Sequence, residues 1–532
     1  MAALQAQHVL VLGLGASGLA MARWCSSQGA QVTVADTRAA PPQAAALQQD
    51  VPAAKLVTGA FAPSLLDAAP DSPAAHAVTA VYKSPGLTPA SVASVFIAAR
   101  ARNILAGGEL NLFFEALNDL QASQGYAPKV LAITGTNGKT TVTSLTALLV
   151  QRAGLSVAVA GNIGPTLLDT LADHLQRDAL PAVWVLELSS FQLEDAGDLF
   201  AQGAAPTAAC VLNISQDHLD WHGSMAAYVQ AKQRIFGPDT LRIVNRSETA
   251  LGGASPPLQP RAGAASKALR SQAKLARAVS FGTDLPTQPG DFGLATENGV
   301  RWLVRAQPGD DTPRQRKHTS EPLQLQHLMP SEALRIRGTH NALNALAALA
   351  LAQAAGCPLA SMLHGLRDYA GEPHRAELVA VLADVQYIDD SKGTNVGATV
   401  AALQGLGEAQ SGTPSGAQKL IAILGGDGKG QDFSPLAAPV ARYCRAVILI
   451  GRDAPALREA LAATGTLLHN AADMPSAVQQ AAALARGGDA VLLSPACASF
   501  DMFADYTDRA RAFRGAVQAL AGAAAQILEG AL

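Results

Sequence analysis

The sequence predicts an α/β protein of three domains, each built on a mostly parallel sheet. Length is the first observation: 532 residues exceed several-fold the ~150 residues of an ordinary domain. Composition is the second. Apolar residues make up 49% of the chain and charged residues 15%, enough to fill several cores and too apolar for a disordered chain. The third is rhythm: short apolar runs ending in glycine or polar residues alternate with helical stretches, the pattern of βαβ units.

The first domain, expected over residues 1–106, opens with HVLVLGLG (8–15), a buried strand running into a glycine turn. QVTVAD (31–36) and AVTAVYKSPG (77–86) supply further strands. Residues 13–18, GLGASG, match G-x-G-x-x-G, and Asp36 ends the next strand 18 positions after Gly18. Read alone, this predicts a Rossmann-like domain that binds a dinucleotide.

The central domain, expected over 107–371, carries KVLAITG (129–135), VAVAGNIG (157–164), VWVLELSS (183–190) and AACVLNIS (208–215). Ligands of open α/β sheets bind beyond the carboxyl ends of the strands, so these four polar ends are expected to share one site. The third domain, expected over 372–532 and again Rossmann-like, repeats the rhythm with YIDDSKGTN (387–395), LIAILGGDGKG (420–430), AVILIG (446–451) and AVLLSPACAS (490–499). Two stretches of the central domain differ. Residues 252–280 carry Arg261, Lys267, Arg270, Lys274 and Arg277 with no acidic residue, and residues 306–330 are rich in Pro, Gln, Arg and His. Both read as solvated surface excursions.

Several function classes are disfavoured. The formal net charge of −3 offers no basic excess for nucleic acid or an anionic membrane. The opening MAALQAQHVLVLGLG lacks a basic n-region and reads as a first strand rather than a signal peptide. No stretch reaches the ~20 apolar residues of a membrane span; residues 342–360 come nearest and are broken by Asn344, Gln353 and Gly356. The cysteines, Cys25, Cys210, Cys357, Cys444 and Cys497, are scattered and without C-x-x-C spacing, which points to a reducing compartment. A cytoplasmic protein is the expectation.

The chemistry concentrates in LAITGTNGKTTVTSL (131–145). After a strand, glycines let successive backbone N–H groups turn inward, and the following helix adds the positive end of its dipole, making a cradle for phosphate. Lys139 brings a mobile positive charge to the terminal phosphates, and a hydroxyl of Thr140 or Thr141 can ligate Mg²⁺. The spacing departs from G-x-x-x-x-G-K-[ST]: position 133 is Ile, and Gly135 lies three before Gly138. A P-loop-type ATPase domain is still the reading that the strand and the G-K-T-T run favour over an ordinary strand-to-helix turn.

TGTNGKTT resembles the ATP-binding loop of the Mur ligase family, which also includes folylpolyglutamate synthase. The family pattern continues in order with GNIG (161–164), ELSSFQLE (187–194), NISQDHLDWHGS (213–224), AK (231–232) and GTHNALNALAALA (338–350). The resemblance covers nearly the whole chain apart from the two excursions. It implies enzymes that join a carboxylate to an amine, using ATP to form an acyl phosphate.

It also implies residue roles. The nucleotide would be held by Gly135, Thr136, Asn137, Gly138, Lys139, Thr140, Thr141, Asn341, Asn344, Arg375 and Asp390. Two Mg²⁺ would be held by Thr140, Glu187, His218 and Lys232, the last as a carbamate, a change that turns a cation into an anionic oxygen ligand. Lys139, Glu187, His218 and Lys232 would be the catalytic set. On local grounds Glu187 is a strand-end acid suited to a hard cation, a lone histidine such as His218 is more often structural, and Lys232 is an ordinary helix lysine.

In this family the first domain would hold a UDP-sugar, its diphosphate over the glycine turn. Gly15, Ala16, Ser17, Asp36, Thr37, Arg38, Ser84, Gly86 and Asn162 would line that site. The motifs of the third domain most resemble the D-glutamate-adding member. A dianionic amino acid needs cations and hydroxyl donors, which Lys392, Thr394, Lys429 and Ser499 offer, with Phe500 and Tyr506 as walls. The expected reaction adds D-glutamate to UDP-N-acetylmuramoyl-L-alanine with cleavage of ATP by a monomeric enzyme, with closure at a hinge near 371–375. Competing expectations are another amide ligase of the family, an NAD-dependent oxidoreductase, and a non-catalytic nucleotide-binding module.

Overall fold

The computed structural model describes residues 4–67, 77–248, 278–308, 323–411 and 418–530. Four sheets order them. The first is all parallel, in the order Lys55–Thr58, Gln31–Asp36, His8–Leu12, Ala80–Lys83, Leu105–Gly108. The second, also parallel, runs Ala278–Phe281, Leu241–Asn245, Ala208–Val211, Lys129–Thr134, Val183–Glu187, Val157–Gly161. Phe292–Glu297, Val300–Gln307 and Gln324–Pro330 form an antiparallel sheet of three. The last sheet has the order Glu377–Leu382, Val385–Asp389, Ala490–Leu493, Leu420–Gly425, Cys444–Ile450, Leu467–Asn470, antiparallel only at the Glu377–Leu382 edge.

The central strands are apolar at nearly every position because helices cover both faces of a parallel sheet; His8–Leu12 and Val183–Glu187 are buried throughout. One core runs from the first sheet into the second. Helix Glu109–Gln124 bridges them, and its Phe113 meets Trp184 edge-on at 5.1 Å. Burying such a side chain is worth about 1.5–3 kcal/mol. Helix Thr339–Ala354 is buried along most of its length, and its alanines allow close packing on helix Lys139–Arg152. Among the described residues no helix is long and apolar enough to cross a membrane. All five cysteines are free and buried.

Two differences from the sequence reading have physical causes. A boundary at residue 106 falls inside strand Leu105–Gly108, which pairs with Ala80–Lys83 in the first sheet; its two glycines hide it. The flanks of both expected excursions are strands: Ala278–Phe281, Val300–Gln307 and Gln324–Pro330. Their polar residues belong to sheet faces turned to solvent. Residues 249–277 and 309–322, with all five of the basic residues singled out above, lie outside the described residues.

Candidate active site

Strand Lys129–Thr134 sits mid-sheet, and the loop that follows it opens helix Lys139–Arg152. Gly135 and Gly138 adopt φ of 155° and 83°. At Gly138 a Cβ would meet Asn344 Oδ1 at 2.7 Å, so the loop is closed down on helix Thr339–Ala354. Asn137 N donates to Asn213 Oδ1 at 2.8 Å, and Thr136 N to Asn213 O at 2.9 Å. Lys139 Nζ donates to the carbonyls of Gly135 and Thr136, each at 2.9 Å. Burial pushes its ammonium down.

Lys232, the buried lysine of helix Met225–Gln233, donates from Nζ to the Gly135 carbonyl at 2.9 Å and lies 4.5 Å over the Tyr228 ring. Burial, then the nearby Lys139, hold its amine well below the ordinary lysine range; Asp217 opposes them. Glu187 ends its strand fully buried. Its Oε1 accepts from Asn162 Nδ2 at 2.9 Å, whereas Oε2 has no hydrogen-bond partner. His218 has φ 53° and faces Phe191 at 4.8 Å between centroids; burial lowers its pKa. Lys139, Thr140, Glu187, His218 and Lys232 all line one cavity of about 280 Å³.

The third domain completes this cavity. Arg375 Nη2 donates to Thr140 Oγ1 at 2.8 Å. Asn395 and Asn137 exchange amide hydrogen bonds at 3.0 and 3.1 Å, and Asn395 Nδ2 reaches Asp217 Oδ2 at 3.2 Å. Lys392, Thr394 and Lys429 line the same cavity. Lys392 lies 3.8 Å over the Tyr506 ring, and burial, with Arg375 and Lys139 nearby, pushes it down to about 8. Ser499 is buried and Phe500 stands 69% exposed; neither lines this cavity.

A second cavity, about 330 Å³, lies on the other side of the loop and shares Asn137, Gly138, Arg375 and Lys392 with the first. Thr141, Asn341, Asn344 and Asp390 line it. Asn344 Nδ2 donates to Asn341 Oδ1 at 3.1 Å, as expected for positions three apart on one helix face. Burial pushes Asp390 up to about 7, although it accepts from Ser494 Oγ at 2.6 Å.

In the first domain the turns after three strands lie together. A Cβ on Gly13 would come within 3.0 Å of Ser84 Cβ, and one on Gly15 within 3.8 Å of Ser84 Oγ. A Cβ on Gly18 would meet the Gly13 carbonyl at 1.9 Å, which is why the helix beginning at Ala16 can pack on the strand. Asp36 is committed to the protein: Oδ2 accepts from Leu14 N at 2.7 Å, and both oxygens accept from the Arg38 guanidinium. The Arg38 bonds hold its pKa at about 2. An acidic residue reading the adenosine ribose of a dinucleotide needs those oxygens free. Ala16, Thr37, Arg38 and Gly86 are exposed around this edge. Asn162, expected with them, stands instead beside Glu187.

Residues 7–104 match the Mur ligase MurD-like N-terminal domain, 133–255 the Mur ligase middle domain and 374–497 the Mur ligase glutamate ligase domain. The chain is 59% identical over 532 residues to the UDP-N-acetylmuramoylalanine–D-glutamate ligase of Albidiferax ferrireducens, covering 100% of both. It belongs to the Mur ligase family. The enzyme of the same name from Burkholderia cenocepacia is 55% identical, with 97% of this chain and 98% of that one covered. The fold is also that of the MurC ligase of Thermotoga maritima (18% identity, TM-score 0.51, 96% and 99% covered). The MurF ligase of Thermotoga maritima, solved with ADP, is likewise similar (15% identity, TM-score 0.52, 97% and 96% covered).

For this Mur ligase, sequence reasoning missed Asn213, Tyr228 and Asn395, which brace the loop. Asn213 and Asn395 stand within the NISQD and DDSKGTN runs. Tyr228, held by Thr136 Oγ1 at 3.1 Å, had no local signal.

Proposed function

We propose that this Mur ligase adds D-glutamate to UDP-N-acetylmuramoyl-L-alanine, cleaving ATP to ADP and phosphate, as a monomer in the cytoplasm. The observation that carries the reading is the convergence of Lys139, Lys232, Glu187 and His218 from the central domain with Arg375 and Lys392 from the third on one cavity. The choice of amino acid is supported by the names of the full-length relatives. The division of labour would follow the three domains, proposed at 1–106, 107–371 and 372–532, with the first boundary moved past strand Leu105–Gly108.

The loop amides of residues 135–141 would cradle the triphosphate, with adenosine toward Asn341, Asn344 and Asp390. The diphosphate of the sugar nucleotide would lie over Gly15, Ala16 and Ser17, with Ser84 and Gly86 beside it and Thr37 and Arg38 at the rim. The substrate carboxylate attacks the γ-phosphorus in line; the bond to the β,γ-bridging oxygen breaks and ADP leaves. The D-glutamate amine then attacks the acyl carbon, loses a proton, and phosphate departs with the electrons of the C–O bond. Lys139 and Arg375 offset the charge that builds on the transferred group. Lys392, Thr394 and Lys429 would hold the carboxylates of D-glutamate, with Tyr506 against Lys392 and Ser499 and Phe500 on the adjoining loop. Lys392, lowered to about 8, is still mostly an ammonium at neutral pH and so can pair with a carboxylate.

The donor set would fit divalent cations: Glu187 Oε2 is buried and unpartnered, and Thr140, His218 and Lys232, as a carbamate, would supply the remaining ligands. Mg²⁺ bound there would screen the phosphates. Phosphate release should require ATP, UDP-N-acetylmuramoyl-L-alanine and D-glutamate together, and should vanish in Lys139→Ala. Equal turnover with L-glutamate, L-lysine or meso-diaminopimelate would overturn the amino-acid assignment.

A further inference from the structure

Arg375 reaches the glycine loop from an unusual backbone. Its neighbours His374 and Ala376 have φ of 62° and 49°, a region that side-chain-bearing residues seldom adopt and keep only where surroundings over-determine it. Those surroundings are carboxylates. His374 N donates to Glu377 Oε2 at 3.0 Å, His374 Nδ1 pairs with Asp389 Oδ2 at 2.7 Å, and Ala376 N donates to Asp390 Oδ1 at 3.1 Å.

Glu377 and Asp389 share one cation. Arg514, on the helix Tyr506–Gly530, bonds Glu377 Oε2 through Nη2 and Asp389 Oδ2 through Nε at 3.2 Å. Atoms of His374, Glu377 and Asp389 converge within 4.8 Å of one another, as metal ligands would. The guanidinium already bonds both carboxylates, so the cation of this cluster is Arg514 rather than a metal. Asp389 is fully buried, and two carboxylates this close need a shared positive charge. Only a planar fork spans both acceptors at once.

We propose that Arg514 is a positioning residue for the nucleotide. By holding Glu377 and Asp389 it fixes the left-handed turn that delivers Arg375 to Thr140. The inference rests on the proposed function in one respect, that Arg375 faces ATP.

A double-mutant cycle in the full-length protein tests it, read by Mg-ADP titration calorimetry. Arg514→Met is expected to weaken ADP binding about ten-fold, the scale of coupling inside one network, and to leave affinity for UDP-N-acetylmuramoyl-L-alanine unchanged. Added to Arg375→Ala, it should cost nothing more. Arg514→Lys, which keeps the charge but not the fork, should fall between. If Arg514→Met does not fold, Glu377→Gln replaces it in the same cycle. Additive losses, or unchanged ADP affinity in the first variant, overturn the relay alone. Unchanged affinity in Arg375→Ala overturns both the relay and the placing of Arg375 at the nucleotide.

Discussion

Lys83 Nζ stands 2.8 Å from Asp195 Oδ2, both side chains buried. The pair joins the first domain to helix Ser190–Asp195 of the central one. The same ammonium donates to the Leu87 carbonyl at 2.8 Å, behind the 84–86 turn, and lies 5.4 Å from the centre of the Trp221 ring. One cation therefore braces the 84–86 turn and ties it to the other domain. Lys83→Met or Asp195→Asn alone strands a partner without its mate and should cost about 3–5 kcal/mol in denaturant unfolding. Lys83→Met combined with Asp195→Leu should recover most of that stability. Its KM for the UDP substrate should stay raised, because the turn has lost its brace. Recovery of KM along with stability would show that the pair acts on folding only.

Glu109 gives a pH-dependent prediction. It opens helix Glu109–Gln124, is buried, and accepts from Leu168 N at 3.0 Å and from Ser17. Burial pushes its carboxyl from the ordinary 4.5 up to about 7. The folded state then binds this proton more tightly than the unfolded state. Its stabilising effect is full below about 4.5 and is lost as pH rises to about 7. Glu109→Gln keeps an acceptor oxygen and removes the titration. Relative to the parent, it should gain up to about 3 kcal/mol between pH 5 and pH 8, from the ~1.4 kcal/mol per pH unit that linkage allows. A constant difference at both pH values in urea unfolding would refute the assignment.

What the sequence disclosed tracks how local each feature is. Strands with unbroken apolar runs and glycine ends were legible, and with them Lys139, Glu187 and Lys392 at their carboxyl ends. Strands Lys55–Thr58 and Leu467–Asn470 were not, because edge strands are half exposed and carry no run. The antiparallel strands around residue 300 looked like loop because one face meets solvent. Contacts such as Thr136 with Tyr228, or Asn137 with Asn395, join positions 92 and 258 apart and leave no periodicity. Asp36 shows the limit of a motif: the spacing was right for a ribose ligand, yet its oxygens close the glycine turn itself.

Gly138 should tolerate no side chain. Its φ of 83° is left-handed, and a Cβ would stand 2.7 Å from Asn344 Oδ1. Gly138→Ala forces either the loop or Asn344 to move. The folding cost should be only about 1–2 kcal/mol, the penalty of that backbone region for an L residue. ADP affinity should fall far more steeply, at least ~100-fold, because whichever moves, the loop amides or the Asn344 amide, leaves the nucleotide. Near-normal ADP binding by a folded Gly138→Ala protein would show that the loop does not grip the nucleotide.

Lys232 yields the sharpest chemical prediction. Burial lowers the Lys232 amine well below the ordinary lysine range and so raises its share of the nucleophilic free base, and carbon dioxide is small enough to reach a side chain with almost no exposure. Carbamylation would set an anion beside Lys139 in place of the amine, removing the repulsion that lowers it, and would aim oxygens into the cavity shared with Glu187 and His218. In ¹³C-bicarbonate the protein should show one carbamate resonance that Lys232→Arg lacks, since a guanidinium stays charged and forms no carbamate. That variant should lose at least ~100-fold in kcat, the scale of removing one preorganised electrostatic group. Activity should also fall in carbon-dioxide-free buffer and return with bicarbonate. A fully active Lys232→Arg protein would mean that the buried amine serves packing against Tyr228 and nothing more.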